Sequence, residues 1–231
     1  MADSGGSTTS TSPDATSPQP FDQLTLGALL EQLSSREPIP GGGSAAALAG
    51  ALGAALLSMV AALTVGRTAS AADADALAQL ATSAGAVQAD LLALVTQDAD
   101  AYRTVVEARR LPRVSDAERT RRSRRIQEAT RGATVVPLRT AQRALATLEL
   151  AEQLVPIGNA HAISDVGVAA HLAAAAVRGA LLNVRINLPS LSELAADDPL
   201  AGARDEVDEL LARAAAAEGR IAVAVSRRME G

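Results

Sequence analysis

The sequence predicts an all-α protein, a single-domain bundle of long helices packed through small residues and assembled as a dimer. Three observations carry this. Alanine, the best helix former, is the commonest residue of the 231, and the strand-favouring aromatics reduce to Phe21 and Tyr102. Apolar residues recur at helical spacing through most of the chain after residue 20, and prolines and glycines divide it into segments of helical length.

The elements follow in order. Residues 1–20 are small, polar and dotted with proline, with neither a basic start nor an apolar stretch, so they read as a disordered tail and not a signal peptide; a cytoplasmic location is expected. Residues 21–231 form the helical domain. Thr25 is placed to cap a first helix carrying Leu26, Leu29, Leu30 and Leu33, which Pro38 and Pro40 stop. Ser44 can cap a second helix that runs to about Gly66, and a third spans about 73–110. Pro112 breaks the chain, and Ser115-Asp116-Ala117-Glu118 reads as a capping box opening a segment to about Leu154, which Pro137 must kink or divide. A buried helix is expected over about 160–186, a turn at Pro189, and an Arg/Glu-patterned last helix over about 199–228.

Composition removes several functional classes. There is no cysteine and only His161 and His171, so disulfides, thiolate metal sites and histidine-rich metal centres are out of reach; a metal would have to rest on carboxylates. A net charge of −5 and the scarcity of aromatic rings argue against nucleic acid. The run from Ser44 to Gly66 carries no charge, which matches a membrane span in length, but much of it is Ala and Gly and no later stretch equals it. Small residues at 46, 50 and 54 and at 47, 51 and 55 instead suit close helix packing in a core or a dimer.

Three segments are candidates for chemistry. Gly41-Gly42-Gly43-Ser44 brings bare backbone N–H groups to a helix start, where a carboxylate or phosphate can dock, although a tight turn alone explains the glycines equally well. Asn159, Ser164, Asp165, Asn183 and Asn187 interrupt an otherwise apolar helix, which suggests a pocket, although Asp165 and Asn187 also suit ordinary helix ends. In Asp98-Ala99-Asp100-Ala101-Tyr102, Asp98 and Tyr102 share a helix face and Asp100 points elsewhere, so one acid can face a site and the other water, although solvated helix-surface charge is the default reading. The arginines from 119 to 125 read as a solvated face, and neither histidine stands in a hydrolytic triad pattern.

Four blocks, PGGGSAAALAGALGAALLSMVAALTVGR, DADAYRTVVEARRLPR, AERTRRSRRIQEATRGATVVPL and GNAHAISDVGVAAHLAAAAVRGALLNVRINL, resemble in order and separation the cyclodeaminase domain of formiminotransferase-cyclodeaminase and its stand-alone bacterial relatives, the methenyltetrahydrofolate cyclohydrolases. The resemblance covers about residues 22–190. It implies an all-helical homodimer acting on a tetrahydrofolate one-carbon derivative, either as a cyclohydrolase or as a cyclodeaminase releasing ammonia, without a metal or other cofactor. It places Gly41, Gly42, Gly43, Ser44, Tyr102, Arg113, Asn159, Ser164, Asn183 and Asn187 at the substrate. Either reaction needs a carboxylate to stabilise a cation and move a proton, and Asp165 is the first choice for it, with Asp100 the second. Relatives often carry Tyr where this chain has Val65, and commonly Lys where it has Arg113. With no formiminotransferase domain in the sequence, the cyclohydrolase is the preferred activity and an inactive folate-binding protein a further alternative.

Overall fold

The computed structural model describes residues 20–67, 71–191, 198 and 200–230; the tail expected over 1–20 lies outside them except for Pro20. Six α-helices and no strand occur among these residues. Helix α1 (Leu26–Leu33) is capped by Thr25, whose hydroxyl accepts from the Ala28 N–H at 3.2 Å. Helix α2 (Gly42–Val65) begins two residues before Ser44, with Gly41 at the cap. The expected serine cap is therefore absent because the Ser44 side chain is turned into the protein. Helices α3 (Ala71–Arg110) and α4 (Asp116–Leu154) form a long hairpin, and α4 opens on the reciprocal Ser115–Glu118 capping box. Helix α5 (Ile163–Asn187) and helix α6 (Ala203–Glu230) complete the bundle.

Pro137 does not end α4 or divide it; one helix runs through residue 137. A proline withholds the N–H that would bond the carbonyl four residues back, here that of Ala133. That carbonyl accepts instead from Nδ2 of Asn187 on α5 at 2.9 Å. A side chain from a neighbouring helix thus repairs the break.

Helices α2 and α5 run antiparallel through the centre and meet almost backbone to backbone. A Cβ on Gly53 would lie 2.9 Å from the Ala169 carbonyl oxygen, and one on Gly50 3.1 Å from Leu91 and 3.3 Å from Ala176. Around this seam, Leu57, Leu77, Leu91, Leu148 and Leu181 are fully buried. Helix α6 lies along α4 and α5, and the interface is laced at its surface by Arg213–Glu149, Arg220–Glu152 and Arg178–Glu218 contacts of 2.6 to 2.8 Å. Such exposed pairs contribute little each, so the small-residue seam is the main source of cohesion.

By length and composition alone, three helices among the described residues could cross a membrane: Gly42–Val65, with mean hydropathy 2.1, and two less apolar ones, Ala72–Arg110 and Ala160–Ser190, at 1.2 and 1.4. The sequence reading that no later stretch equals the first holds in strength, but two later helices pass the same threshold. Half of the most apolar window in the first and third is buried within the bundle.

The seam predicts opposite outcomes for one substitution at two sites. Gly85, within α3, has open space where a Cβ would go. Gly85→Ala should raise the melting temperature through helix propensity, by about 0.5–1 kcal/mol. Gly53→Ala should lower it, since overpacking against backbone costs about 1–3 kcal/mol. Thermal unfolding followed by circular dichroism checks both.

Candidate active site

The antiparallel arrangement gathers four elements at one end of the bundle: the start of α2, the second half of α3, the middle of α4 and the end of α5. They enclose a cavity of about 450 Å³, within the size range of ligand sites. Its walls include Gly41, Gly42 and Gly43, then Asp98, Tyr102 and Arg109 from α3, Thr130 and Ala133 from α4, and Asn183, Ile186 and Asn187 from α5. The preceding Ile39–Pro40 peptide bond is cis.

Asp98 is the chemical centre of this cavity. Its Oδ2 lies 3.0 Å from the Ser44 hydroxyl, which is itself 3.0 Å from the Val95 carbonyl oxygen. Ser44 is buried at 1% exposure. Any Cβ on Gly43 would overlap the Asp98 carboxylate, so a side chain there would push that carboxylate out of its present position. Burial pushes the Asp98 carboxyl above the usual carboxylate range, while the Ser44 hydroxyl and backbone N–H pull it partly back.

The two cavity asparagines are held by their amide nitrogens. Asn183 donates to the Gly179 carbonyl at 3.1 Å and Asn187 to the Ala133 carbonyl at 2.9 Å. Each amide oxygen is then the group left to accept a bond from a ligand. Across from them, the first turn of α2 offers backbone N–H groups that have no partner within the helix. Arg109 supplies a cation at the α3 end of the cavity, and its own carbonyl is bonded by Arg122 at 3.0 and 3.2 Å, which ties the α3 end to α4.

Of the residues singled out in the sequence, Gly41, Gly42, Gly43, Tyr102, Asn183 and Asn187 line this cavity, and Ser44 stands directly behind it. The others do not. Asp100 faces outward and pairs with Arg103, and Arg113 lies exposed in the α3–α4 turn. Asn159 caps a short 3₁₀ turn (Ala160–Ala162) by accepting from the His161 N–H at 3.0 Å, and its own N–H donates to Thr64 at 2.9 Å. Ser164 and Asp165 lie in the first turn of α5. At 1.5 Å per residue, Asp165 is roughly 27 Å along the helix axis from Asn183. Val65 closes α2, roughly 35 Å along that axis from Gly42, so an aromatic ring there would not reach this cavity within one subunit. Asp98 and Arg109 went unchosen in the sequence. The signal for Asp98 was the i, i+4 spacing that puts it on the Tyr102 face. No group of three or more His, Cys, Asp or Glu side chains able to hold a metal occurs among the described residues.

Fold and cavity together define a helical-bundle protein with a desolvated carboxyl group set among hydrogen-bonding groups of both kinds. Residues 25–206 match the family model described as Formiminotransferase-cyclodeaminase, and the chain belongs to that family. It is 38% identical over 198 residues to the methenyltetrahydrofolate cyclohydrolase of Methylorubrum extorquens, covering 85% of this chain and 93% of that one. It is 36% identical over 181 residues to the mouse formimidoyltransferase-cyclodeaminase, covering 78% of this chain but only 34% of that longer protein. Among solved structures, the formiminotetrahydrofolate cyclodeaminase of Thermotoga maritima superposes with a TM-score of 0.72 at 25% identity, covering 91% of this chain and 98% of that one.

Two predictions follow from the cavity's construction. Asn187→Ala orphans the buried Ala133 carbonyl and should cost about 1–3 kcal/mol. Adding Pro137→Ala, which returns the missing N–H to α4, should recover most of that loss; additive losses in a denaturant double-mutant cycle would refute the repair. For Asp98, the raised pKa means that the folded protein keeps its proton where the unfolded chain has released it. Stability therefore falls as pH climbs from about 4 through the raised value, and stays lower above it. Asp98→Asn should accordingly melt higher than the parent at pH 7, with the gap closing toward pH 4.

Proposed function

We propose that the chain is a tetrahydrofolate one-carbon enzyme that hydrolyses 5,10-methenyltetrahydrofolate to 10-formyltetrahydrofolate. The observation that carries this reading is the partly buried Asp98 at the cavity wall, in a chain whose relative of nearly equal length is a named methenyltetrahydrofolate cyclohydrolase. The substrate carries a cationic N–C–N bridge between N5 and N10. An ionised Asp98 attracts that cation and takes a proton from the water that attacks the bridging carbon. The same proton then passes to N5 as the carbon–N5 bond breaks, leaving the formyl group on N10 and releasing one proton overall. A carboxyl group raised toward neutrality suits both halves of this exchange. Water and the folate close the atom balance, so the proposed reaction calls for no metal or other cofactor.

Asp98 thus takes the role that the sequence reading assigned to Asp165 or Asp100. Within one subunit neither of those reaches the cavity. The oxygens of Asn183 and Asn187 would accept from the pterin's N–H groups, and Arg109 would meet the glutamate carboxylates. Cyclodeaminase activity is the second reading, favoured by the superposition on the Thermotoga enzyme. There N10 closes on the formimino carbon and Asp98 would protonate the departing ammonia.

The homodimer is part of the same proposal. Leu52, Met59 and Leu63 on α2 and Val168, Leu182 and Ile186 on α5 remain exposed on the two central helices. A second copy, and not lipid or nucleic acid, is the proposed cover, in a protein that works in the cytoplasm. Light scattering without detergent should then return twice the 23.4 kDa chain mass.

The decisive assay follows the absorbance of 5,10-methenyltetrahydrofolate at a pH where its spontaneous hydrolysis is slow. The parent protein should accelerate loss of the band, Asp98→Asn should lose at least about 100-fold in turnover, and Asp165→Asn should lose far less. Formation of the same band from 5-formiminotetrahydrofolate with ammonia release would select the cyclodeaminase. Equal losses in the two variants would return Asp165 to the catalytic role.

A further inference from the structure

The Ser44 hydroxyl has two acceptors for one hydrogen. It stands 3.0 Å from the Val95 carbonyl oxygen, which also accepts within α3, and 3.0 Å from Asp98 Oδ2. A hydroxyl has one hydrogen and can satisfy one of them at a time. The site therefore has two self-consistent arrangements. With Asp98 ionised, Ser44 donates to Oδ2, and the Val95 carbonyl keeps its bond within α3. With Asp98 protonated, Oδ2–H donates to Ser44 Oγ, and the Ser44 hydrogen turns to Val95. Ser44 itself is buried, and the carboxylate packs against the first turn of α2 in the space a Gly43 side chain would fill, with its other side on the cavity.

We propose that Ser44 is a positioning residue whose hydroxyl rotates between Val95 and Asp98 each time Asp98 gives up or takes a proton, so that both states of the acid stay hydrogen-bonded. This rests on the acid–base role proposed above for Asp98. In the reaction, Asp98 receives the water proton and Ser44 swings from Oδ2 to Val95. When Asp98 passes that proton to N5, Ser44 swings back. No proton leaves Ser44; its rotation keeps Oδ2 hydrogen-bonded to the hydroxyl in both states, beside the bond from the Ser44 backbone N–H. The bond to the ionised carboxylate is the stronger of the two, so Ser44 favours ionisation. The other titratable groups facing the cavity are Tyr102 and Arg109, both on α3; α2, α4 and α5 contribute only neutral groups there among the described residues.

The test is a carbon-13 NMR titration of the Asp98 carboxyl in ligand-free protein, assigned with Asp98→Asn. In Ser44→Ala the midpoint should rise by about one pH unit. Ser44→Thr, which keeps the hydroxyl, should restore it. The pH–rate profile of each variant, measured with 5,10-methenyltetrahydrofolate, should move by the same amount as its NMR midpoint. An Asp98 midpoint that does not move in Ser44→Ala, or a Thr variant that titrates like the Ala variant, overturns the proposal. A fall in turnover with no pH displacement also overturns it, since that is what a purely structural serine would give. If the parent protein turns over neither folate, the titration arm still decides the behaviour of Ser44, and only the proposed function fails.

Discussion

The structure is organised around a carboxyl group that water does not fully reach, held against the first turn of a helix. Desolvating Asp98 is unfavourable to its charge, and three features of α2 and α3 make the position tenable. Glycine at 43 leaves room for the carboxylate, the Ser44 backbone and hydroxyl bond to it, and the N-terminal end of α2 provides a favourable field. Each of these needs α2 to begin at Gly42 and not at Ser44. A helix starting at Ser44 would have used that hydroxyl on its own backbone and left Asp98 without it. The early start is possible because Gly41 can cap without a side chain.

The same closeness governs the rest of the bundle. Bringing α2 within bonding distance of α3 at Asp98 requires the two helices to stay close along their length. The Ser58 hydroxyl donates to the Ala81 carbonyl at 3.3 Å near the far end of the pair. On its other side α2 meets α5 at Gly53 and Gly50. Alanine and glycine supply little apolar area each, so a core built from them depends on contact density. The long α3–α4 hairpin adds its leucines where the small-residue seam cannot.

Much of this fold was legible in the sequence. Threonine at 25, the Ser115–Glu118 box and the proline–glycine breaks mark element ends through local chemistry, which needs no knowledge of tertiary neighbours. The failures share one cause. Ser44 looks like a cap because local rules cannot see Asp98 fifty-four positions away, and Pro137 looks like a break because they cannot see Asn187. The site divided the same way. Its glycines, Tyr102 and both cavity asparagines stood out as residues unusual for their surroundings. Asp98 did not, since an acid in an alternating Asp-Ala-Asp run looks like solvated helix surface until the burial of one face is known. Asp165 drew attention because it interrupts an apolar run, yet a position in the first turn of a helix already suits a carboxylate.

Pro137 has a consequence beyond α4. With the proline in place, the Ala133 carbonyl needs a donor, and the only orientation of the Asn187 amide that supplies one points its oxygen away from that carbonyl. Asn183 is oriented by the same logic through Gly179. Each α5 amide therefore offers its oxygen as an acceptor, beside the second hydrogen of its nitrogen, whereas the start of α2 presents N–H donors and α3 brings Asp98 against them. A ligand that bridges these walls can donate to the α5 oxygens and accept from the α2 N–H groups. The proposed pterin has adjacent ring N–H and amino groups for the first task and a ring carbonyl for the second, which leaves the glutamate carboxylates to Arg109, so the polarity set by Pro137, the two asparagines and the start of α2 accounts for the direction in which such a substrate would lie.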